Sequence, residues 1–135
     1  MAAAWSPRLA TGDFPLAPQD HERATLAPKM TKEEGLITRD LDARRAYDRF
    51  RGFTPAPGAT LMTSAGVLKL KQARLLLGAA GEPGSVEEVR PDLTVSLPGG
   101  RLRLLELQPE GRRAVSGAEF ANGARLRPGD VFLLE

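Results

Sequence analysis

The sequence of 135 residues contains no cysteine and only one histidine, His21. Without cysteine there is no disulfide framework, no thiolate metal site and no thiol nucleophile. One histidine excludes a multi-histidine metal centre and leaves a single candidate for imidazole chemistry. His21 lies in a proline-rich stretch with no strand or helix pattern to hold it. We therefore interpret it as a solvated side chain and not as a catalytic base.

Aromatic residues are scarce, at 5% of the chain, and long apolar runs are absent. The longest apolar run, residues 73–80, is interrupted by Arg74 and Gly78 and is far shorter than the roughly 20 residues of a membrane helix. The start of the sequence lacks the basic and apolar regions of a secretory signal. We expect a cytoplasmic protein with no membrane partner and an aliphatic core.

Common catalytic motifs are absent as well. The sequence has no dinucleotide-binding fingerprint, Walker loop, zinc-protease motif or nucleophile elbow. Glu33 and Glu34 are adjacent, so they do not share a helix face, and we interpret them as solvated. The net charge of +2 is too small by itself to indicate nucleic-acid binding. We predict no catalytic and no metal-binding residue in this chain.

The first part of the chain predicts an arm followed by a helix. Residues 1–28 are proline-rich and aperiodic, which is typical of an extended linker. From Asp40, apolar residues recur every three or four positions, which predicts an amphipathic helix capped by Asp40 and ending near Gly52. The predicted domains are an arm over 1–39, a linker helix over 40–53 and a barrel over 54–135.

The remaining sequence consists of short apolar runs separated by glycine and proline, which is typical of a small barrel or sandwich. In residues 67–71 and 101–104, leucines alternate with cations, so we expect the leucines to fill the barrel. The last apolar run, residues 131–134, is predicted as the final short strand of the chain. The pattern predicts a mainly β fold with five or six short strands.

A short helical insert is predicted between the last two apolar runs. Ser116 and Glu119 have the spacing of a capping box, in which each residue hydrogen-bonds the backbone of the other. Gly123 follows where a helix of this length would end.

Basic residues on the predicted strands and in the next turn allow two readings. They are Lys69, Lys71, Arg101, Arg103, Arg112 and Arg113. Such residues either contact phosphates or form a solvated sheet face. The residues alone favour the solvated face, because alternating charge outside a sheet is ordinary.

Five motifs occur in a fixed order: 27–37 (APKMTKEEGLI), 51–59 (RGFTPAPGA), 104–113 (LLELQPEGRR), 116–120 (SGAEF) and 127–130 (RPGD). In this order they resemble the C-terminal part of methionyl-tRNA formyltransferase, from about Gly12 onward. The resemblance implies an OB-like β-barrel that follows a linker and a helix.

The resemblance also implies a division of labour. In the family, this portion binds initiator Met-tRNA, while an N-terminal Rossmann-like domain transfers the formyl group of formyl-tetrahydrofolate to the methionyl amine. The catalytic Asn, His and Asp of that domain and its folate-binding loops have no counterpart here, and His21 does not replace them. We expect this chain alone to be inactive, monomeric and without a bound cofactor. Its implied partners are initiator Met-tRNA and a catalytic domain, in cis or in trans.

The family motifs shift the interpretation of the basic residues. Lys29 and Lys32 lie in the first motif and Arg112 and Arg113 in the third, so the resemblance favours phosphate contact for these four. For five other cations, phosphate contact and a solvated position are equally favoured: Arg51, Lys69, Lys71, Arg101 and Arg103. Arg51 ends the predicted helix and has a third possibility, a salt bridge to the barrel.

The sequence departs from the family at three places. Thr38 and Arg39 stand where members usually carry Asp-Trp, and Ala56 replaces a tryptophan between the two prolines. We expect these losses to loosen the packing of the linker helix on the barrel. Residues 1–9, with Trp5, do not match the helix expected there, so the chain is either part of a longer enzyme or a separate module.

Two other functions stay open. The barrel could be a protein-docking module whose cations only confer solubility. It could also be the appendage of a sibling formyltransferase that acts on a non-tRNA substrate.

Overall fold

The computed structural model of the chain describes residues 7, 10–12 and 17–135. Most of the segment 1–9, including Trp5, and part of the predicted arm lie outside the described residues. From residue 17 to residue 34 the chain is exposed, with short 3-10 turns at His21–Arg23 and Glu33–Gly35. The predicted boundary between arm and helix stays a prediction.

The described chain forms seven strands and two helices. They are β1 Leu36–Ile37, α1 Ala43–Phe53, β2 Ala59–Thr63, β3 Gly66–Leu77, β4 Val86–Glu88, β5 Leu93–Leu97, β6 Gly100–Pro109, β7 Val115–Ser116 and α2 Gly117–Gly123. One sheet holds the strands in the order β1-β2-β3-β6-β5-β4, with β7 paired to β6. The predicted mainly β, OB-like fold is confirmed, and the two-residue strands β1 and β7 account for the higher strand count.

The inward side chains of the long strands form the core. Leu68, Leu70, Leu102 and Leu104 are at most 1% exposed, which confirms that the leucines fill the barrel. Strand β3 pairs antiparallel with β6 along most of its length, with register shifts on either side of Gln72. All pairs of neighbouring strands are antiparallel except β1 and β2, which are parallel.

Helix α1 begins later than the sequence predicts. Asp42, not Asp40, is its N-cap, and the Asp42 carboxylate accepts hydrogen bonds from the N–H groups of Arg44 and Arg45 at 2.9 and 3.2 Å. Asp40 lies instead in a turn closed by the N–H of Leu41. The prediction was wrong because two aspartates of equal capping ability stand two positions apart.

Helix α1 is packed on the sheet through Ala43, Ala46 and Phe50, which are at most 8% exposed. The Arg49 guanidinium donates a hydrogen bond to the backbone carbonyl of Leu36, so the helix also contacts β1. The looser helix packing expected from the lost tryptophans stays a prediction. Within the described part of the chain, neither helix is long and apolar enough to cross a membrane.

The C-terminal apolar run does not form the predicted strand. Residues 131–134 make only isolated bridges, from Val131 to Ser85 and from Leu133 to Thr63. The prediction was wrong because the segment runs from the start of β4 to the end of β2 and does not pair along the length of either strand. Phe132 still lies in the core and is fully buried.

Two glycines of α2 provide a matched test of this packing. A Cβ at the buried Gly117 would overlap the backbone carbonyl oxygen of Leu104, whereas a Cβ at Gly123 would meet nothing within 4 Å. We expect Gly117→Ala to lower the free energy of unfolding by about 3 kcal/mol. Gly123→Ala should leave it unchanged or raise it by up to about 1 kcal/mol. Urea denaturation measures both, and equal stability of the two variants would contradict the packing described here.

Candidate nucleic-acid interface

The capping box at the start of α2 is present as predicted. The Ser116 hydroxyl accepts a hydrogen bond from the N–H of Glu119 at 3.2 Å, and the Glu119 carboxylate accepts one from the N–H of Ser116 at 3.0 Å. The N–H of Ser116 and the Ser116 hydroxyl, which donates to the Glu119 carboxylate at 2.9 Å, hold the pKa of Glu119 below its ordinary value, with a smaller contribution from the charge of Arg113. Helix α2 therefore has a fixed position beside Arg113, and both line the same groove.

Arg51 is engaged within its own helix. Its guanidinium lies 3.2 Å from the Asp48 carboxylate and 5.6 Å from the centroid of the Tyr47 ring. In the part of the chain that the structure describes, Arg51 forms no salt bridge to the barrel, because its acidic partner lies one turn back on α1.

Arg101 and Arg103 lie over the outer face of β5. Their guanidinium groups pair with Glu87 at 3.3 Å and with Glu88 at 3.8 Å, and their side chains are about 30% exposed. Thr94 is opposite Arg103 in the register and is fully buried, although it lies on the outer face. Both arginines thus cover the sheet, and carboxylates balance their charge.

The Glu87 carboxylate organises this end of the sheet. It accepts hydrogen bonds from the Ser96 hydroxyl and the Gly81 N–H, each at 2.6 Å, and from Arg101 at 3.3 Å. Partial burial acts to raise the pKa of Glu87, but these three donors outweigh burial and hold the pKa below its ordinary value of 4.5. Glu87 is therefore ionised at neutral pH and balances Arg101.

Five of the other predicted cations line three adjoining grooves, which we call the basic groove. They are Lys32, Lys69, Lys71, Arg112 and Arg113. No ion pair within 4.0 Å involves any of the five in the part of the chain that the structure describes.

The first part of the basic groove, of about 660 Å³, lies between the β2–β3 turn and α2 and carries Arg112 and Arg113. The second part, of about 480 Å³, carries Lys32 and Lys69. The third part, of about 210 Å³, carries Lys69 and Lys71. Neighbouring parts share lining residues, so the five cations lie along one surface.

Two residues that sequence reasoning missed shape this surface. Gln108 is opposite Lys69 in the register, and its side-chain amide donates a hydrogen bond to the carbonyl of Arg112 at 3.0 Å. Gly58 has a φ of +98°, and a Cβ there would overlap the Lys69 side chain. Gln108 lies inside a family motif, and Gly58 ends the proline-rich turn. Both positions could therefore have been identified in the sequence as candidates.

The basic groove also contains acidic residues and does not include every predicted cation. Glu110 and Glu119 line its first part, Glu110 also lines its second, and Glu106 lines its third. Lys29 lies on the exposed arm, three residues before Lys32, and lines none of the three parts. The role predicted for Lys29 stays a prediction.

Sequence comparison gives the family. Residues 29–125 match the family described as the formyl transferase C-terminal domain. The chain belongs to this family. It is 37% identical to the methionyl-tRNA formyltransferase of Myxococcus xanthus over 124 residues, which cover 91% of this chain and 39% of that protein. It is 44% identical to that of Anaeromyxobacter dehalogenans over 114 residues, which cover 81% and 36%. The resemblance carried by the motifs is confirmed, and the chain spans less than half the length of these relatives.

Solved structures share the fold at low sequence identity. HypX from Aquifex aeolicus superposes with a TM-score of 0.68 at 17% identity, over 94% of this chain and 23% of HypX. HypX in complex with tetrahydrofolic acid gives a TM-score of 0.64 at 19% identity, over 85% of this chain and 21% of HypX. At this identity the likeness shows the fold alone.

The Glu87 cluster predicts a dependence of stability on pH. Because the folded pKa lies below 4.5, ionised Glu87 stabilises the protein above that pH, and its contribution is lost as the pH falls through the folded pKa. We expect Glu87→Gln to lower the free energy of unfolding at neutral pH by about 1 kcal/mol. The difference from the parent should shrink as the pH falls below 4.5.

Urea denaturation at a series of pH values measures this difference. Glu82→Gln is the control, since the Glu82 carboxylate has no hydrogen bond or ion pair in the described structure. A Glu87→Gln effect that is the same in acid and at neutral pH would show that the carboxylate charge does not matter.

Proposed function

We propose that this chain binds initiator Met-tRNA and positions the aminoacyl end for formyl transfer by a separate catalytic domain. That domain would hold formyl-tetrahydrofolate, in cis or in trans, and the reaction would serve translation initiation in the bacterial cytoplasm. Family membership and the names of the relatives support this proposal.

The observation that carries the proposal is the separation of the cations into two groups. A cation that is already paired with a carboxylate gains less from a phosphate, because the first pair must be broken or shared. Arg101 and Arg103 are paired in this way. Within the described structure, no cation of the basic groove forms an ion pair within 4.0 Å, although the charge of Arg113 acts on Glu119. These cations lie along a continuous surface, as a nucleic-acid backbone requires.

Lys29 extends this surface onto the arm. The arm is exposed over residues 17–34, so Lys29 can reach a ligand seated beside Lys32 without losing any contact to the barrel. We therefore propose Lys29, Lys32, Arg112 and Arg113 as the main phosphate contacts, with Lys69 and Lys71 as further contacts along the groove.

A second candidate is the appendage of a sibling formyltransferase that acts on a non-tRNA substrate. The likeness in fold to HypX supports this second candidate, because HypX has the fold under a different protein name. One HypX structure is also in complex with tetrahydrofolic acid. The five cations of the basic groove favour tRNA, since an RNA backbone contacts more cations along a surface than a small substrate does.

The salt dependence of tRNA binding tests the proposal. With four main phosphate contacts, we expect the plot of log affinity against log salt concentration to have a slope of about −4 or shallower. Filter binding or fluorescence anisotropy of the full chain with initiator tRNA measures it. Affinity that does not change with salt concentration, or no binding at low salt, would contradict the proposal.

Paired variants locate the contacts. Arg112→Ala with Arg113→Ala should weaken tRNA binding by about tenfold or more and make the salt slope shallower by about 2. Arg90→Ala with Arg127→Ala is the matched control, because both arginines are exposed and line a different groove. The control should bind as the parent does, and equal loss in both double variants would point to net charge and not to the basic groove.

Mixing the chain with a separately produced catalytic domain distinguishes docking from RNA binding. A complex that persists at high salt, together with no affinity for tRNA, would favour the protein-docking function. Absence of both would favour the sibling enzyme.

A further inference from the structure

Strand β3 has one long edge that no other strand covers. It runs over Gly66–Leu77, but β2 pairs only with its first five residues, up to Leu70. From Lys71 to Leu77, β6 lies on one side, and no strand among the described residues lies on the other. We call residues 71–77 the open edge.

The backbone of the open edge offers unpaired hydrogen-bonding groups. In an antiparallel pair, every second residue directs its N–H and C=O away from the partner strand. In the described part of the chain, no hydrogen bond from outside the β3–β6 pair reaches these groups. Within the described residues, the outward groups of the open edge therefore have no hydrogen-bond partner.

The open edge differs from the other two edges of the sheet. β1 has two residues and β4 has three, and short edges are a common protection against strand addition. The open edge has seven residues, of which Gln72, Arg74 and Leu77 are exposed. Leu77 at its end is 57% exposed.

A groove of about 460 Å³ follows the open edge on the side of α1. Its lining residues are Arg44, Tyr47, Arg74, Leu75 and Leu77. The lining contains cations and apolar side chains but no acidic residue. Neither Arg44 nor Arg74 forms an ion pair with any other described residue.

We propose that the open edge binds an extended, acidic segment of a partner protein, which adds to β3 as a further strand. Strand addition satisfies the outward N–H and C=O groups in pairs, and successive side chains of the segment point to opposite faces of the sheet, as Arg74 and Leu75 do on β3. Acidic side chains complement Arg44 and Arg74, while apolar side chains at the other positions cover Leu75 and Leu77. The inference goes beyond tRNA binding and does not depend on it.

The edge favours a polypeptide over RNA for a chemical reason. RNA phosphates only accept hydrogen bonds, so they can pair with the N–H groups of an edge but not with its carbonyls. A polypeptide carries a donor and an acceptor at the strand repeat of about 6.8 Å over two residues. A peptide backbone therefore matches the unpaired carbonyls of the open edge better than the phosphates of RNA do.

A labelled heptapeptide tests this proposal. The probe is a fluorescein-tagged peptide with the sequence Thr-Glu-Val-Glu-Val-Glu-Thr, titrated with the full chain at low ionic strength. We expect saturable binding below about 1 mM. The same peptide with lysine in place of glutamate, or with proline in place of the second valine, should bind at least about tenfold more weakly. No binding, or equal binding of the three peptides, would overturn the proposal.

A charge variant locates the site on the chain. Arg74→Glu should weaken the acidic peptide by at least about fivefold, since it places like charge beside the open edge. Arg127→Glu makes the same change at an exposed arginine outside the groove and should stay within about twofold of the parent. A similar loss in both variants would contradict binding at the open edge.

Amide hydrogen exchange distinguishes strand addition from simple charge attraction. The peptide should slow exchange at alternate residues of the open edge at least about tenfold, because their N–H groups gain partners. Binding without this protection would refute strand addition, and so would displacement of the peptide by oligouridylate. The Arg112→Ala, Arg113→Ala variant should still bind the peptide, so failure of tRNA binding and failure of this proposal can be told apart.

Discussion

The antiparallel pairing of β3 with β6 is the constraint on which the rest of the structure depends. Its register runs from Leu68 opposite Pro109 to Leu77 opposite Gly100. Because side chains alternate along a strand, this register directs the leucines inward and the cations outward, and a slip by one residue would reverse both faces. The other strands and both helices pack around this pair, and the outer face of the sheet inherits its charges from the same alternation.

The outward cations differ in role because of what the neighbouring chain brings to them. At one end of β6, strand β4 places two carboxylates beside Arg101 and Arg103. At the other end, the arm and the loop after β6 add Lys32 and Arg112 to Lys69, and none of these three cations forms an ion pair within the described residues. The same strand pattern therefore yields a charge-balanced cover for β5 and the surface that we propose contacts phosphate.

Local patterns were enough to predict the features that depend on local contacts. The buried leucines and the Ser116–Glu119 capping box follow from spacing alone, and both are confirmed. The pairing of Arg101 with Glu87 could not be read in this way, because it depends on how two strands meet. The predictions of the N-cap and of the C-terminal strand were wrong because each depends on tertiary contacts. Two neighbouring aspartates can both cap α1, and residues 131–134 pair with the ends of two different strands.

The irregularity in the middle of β3 connects the two surfaces. The register with β6 shifts on both sides of Gln72, just after β2 ends its pairing at Leu70. A shift of this kind bends a strand and often ends its pairing with a neighbour. Before the shift, β3 is covered on both sides and presents Lys69 to the basic groove. After it, one side of β3 is open and Arg74 lines the groove beside α1. One local break in the ladder thus separates the two surfaces proposed above, the basic groove for phosphate and the open edge for a peptide.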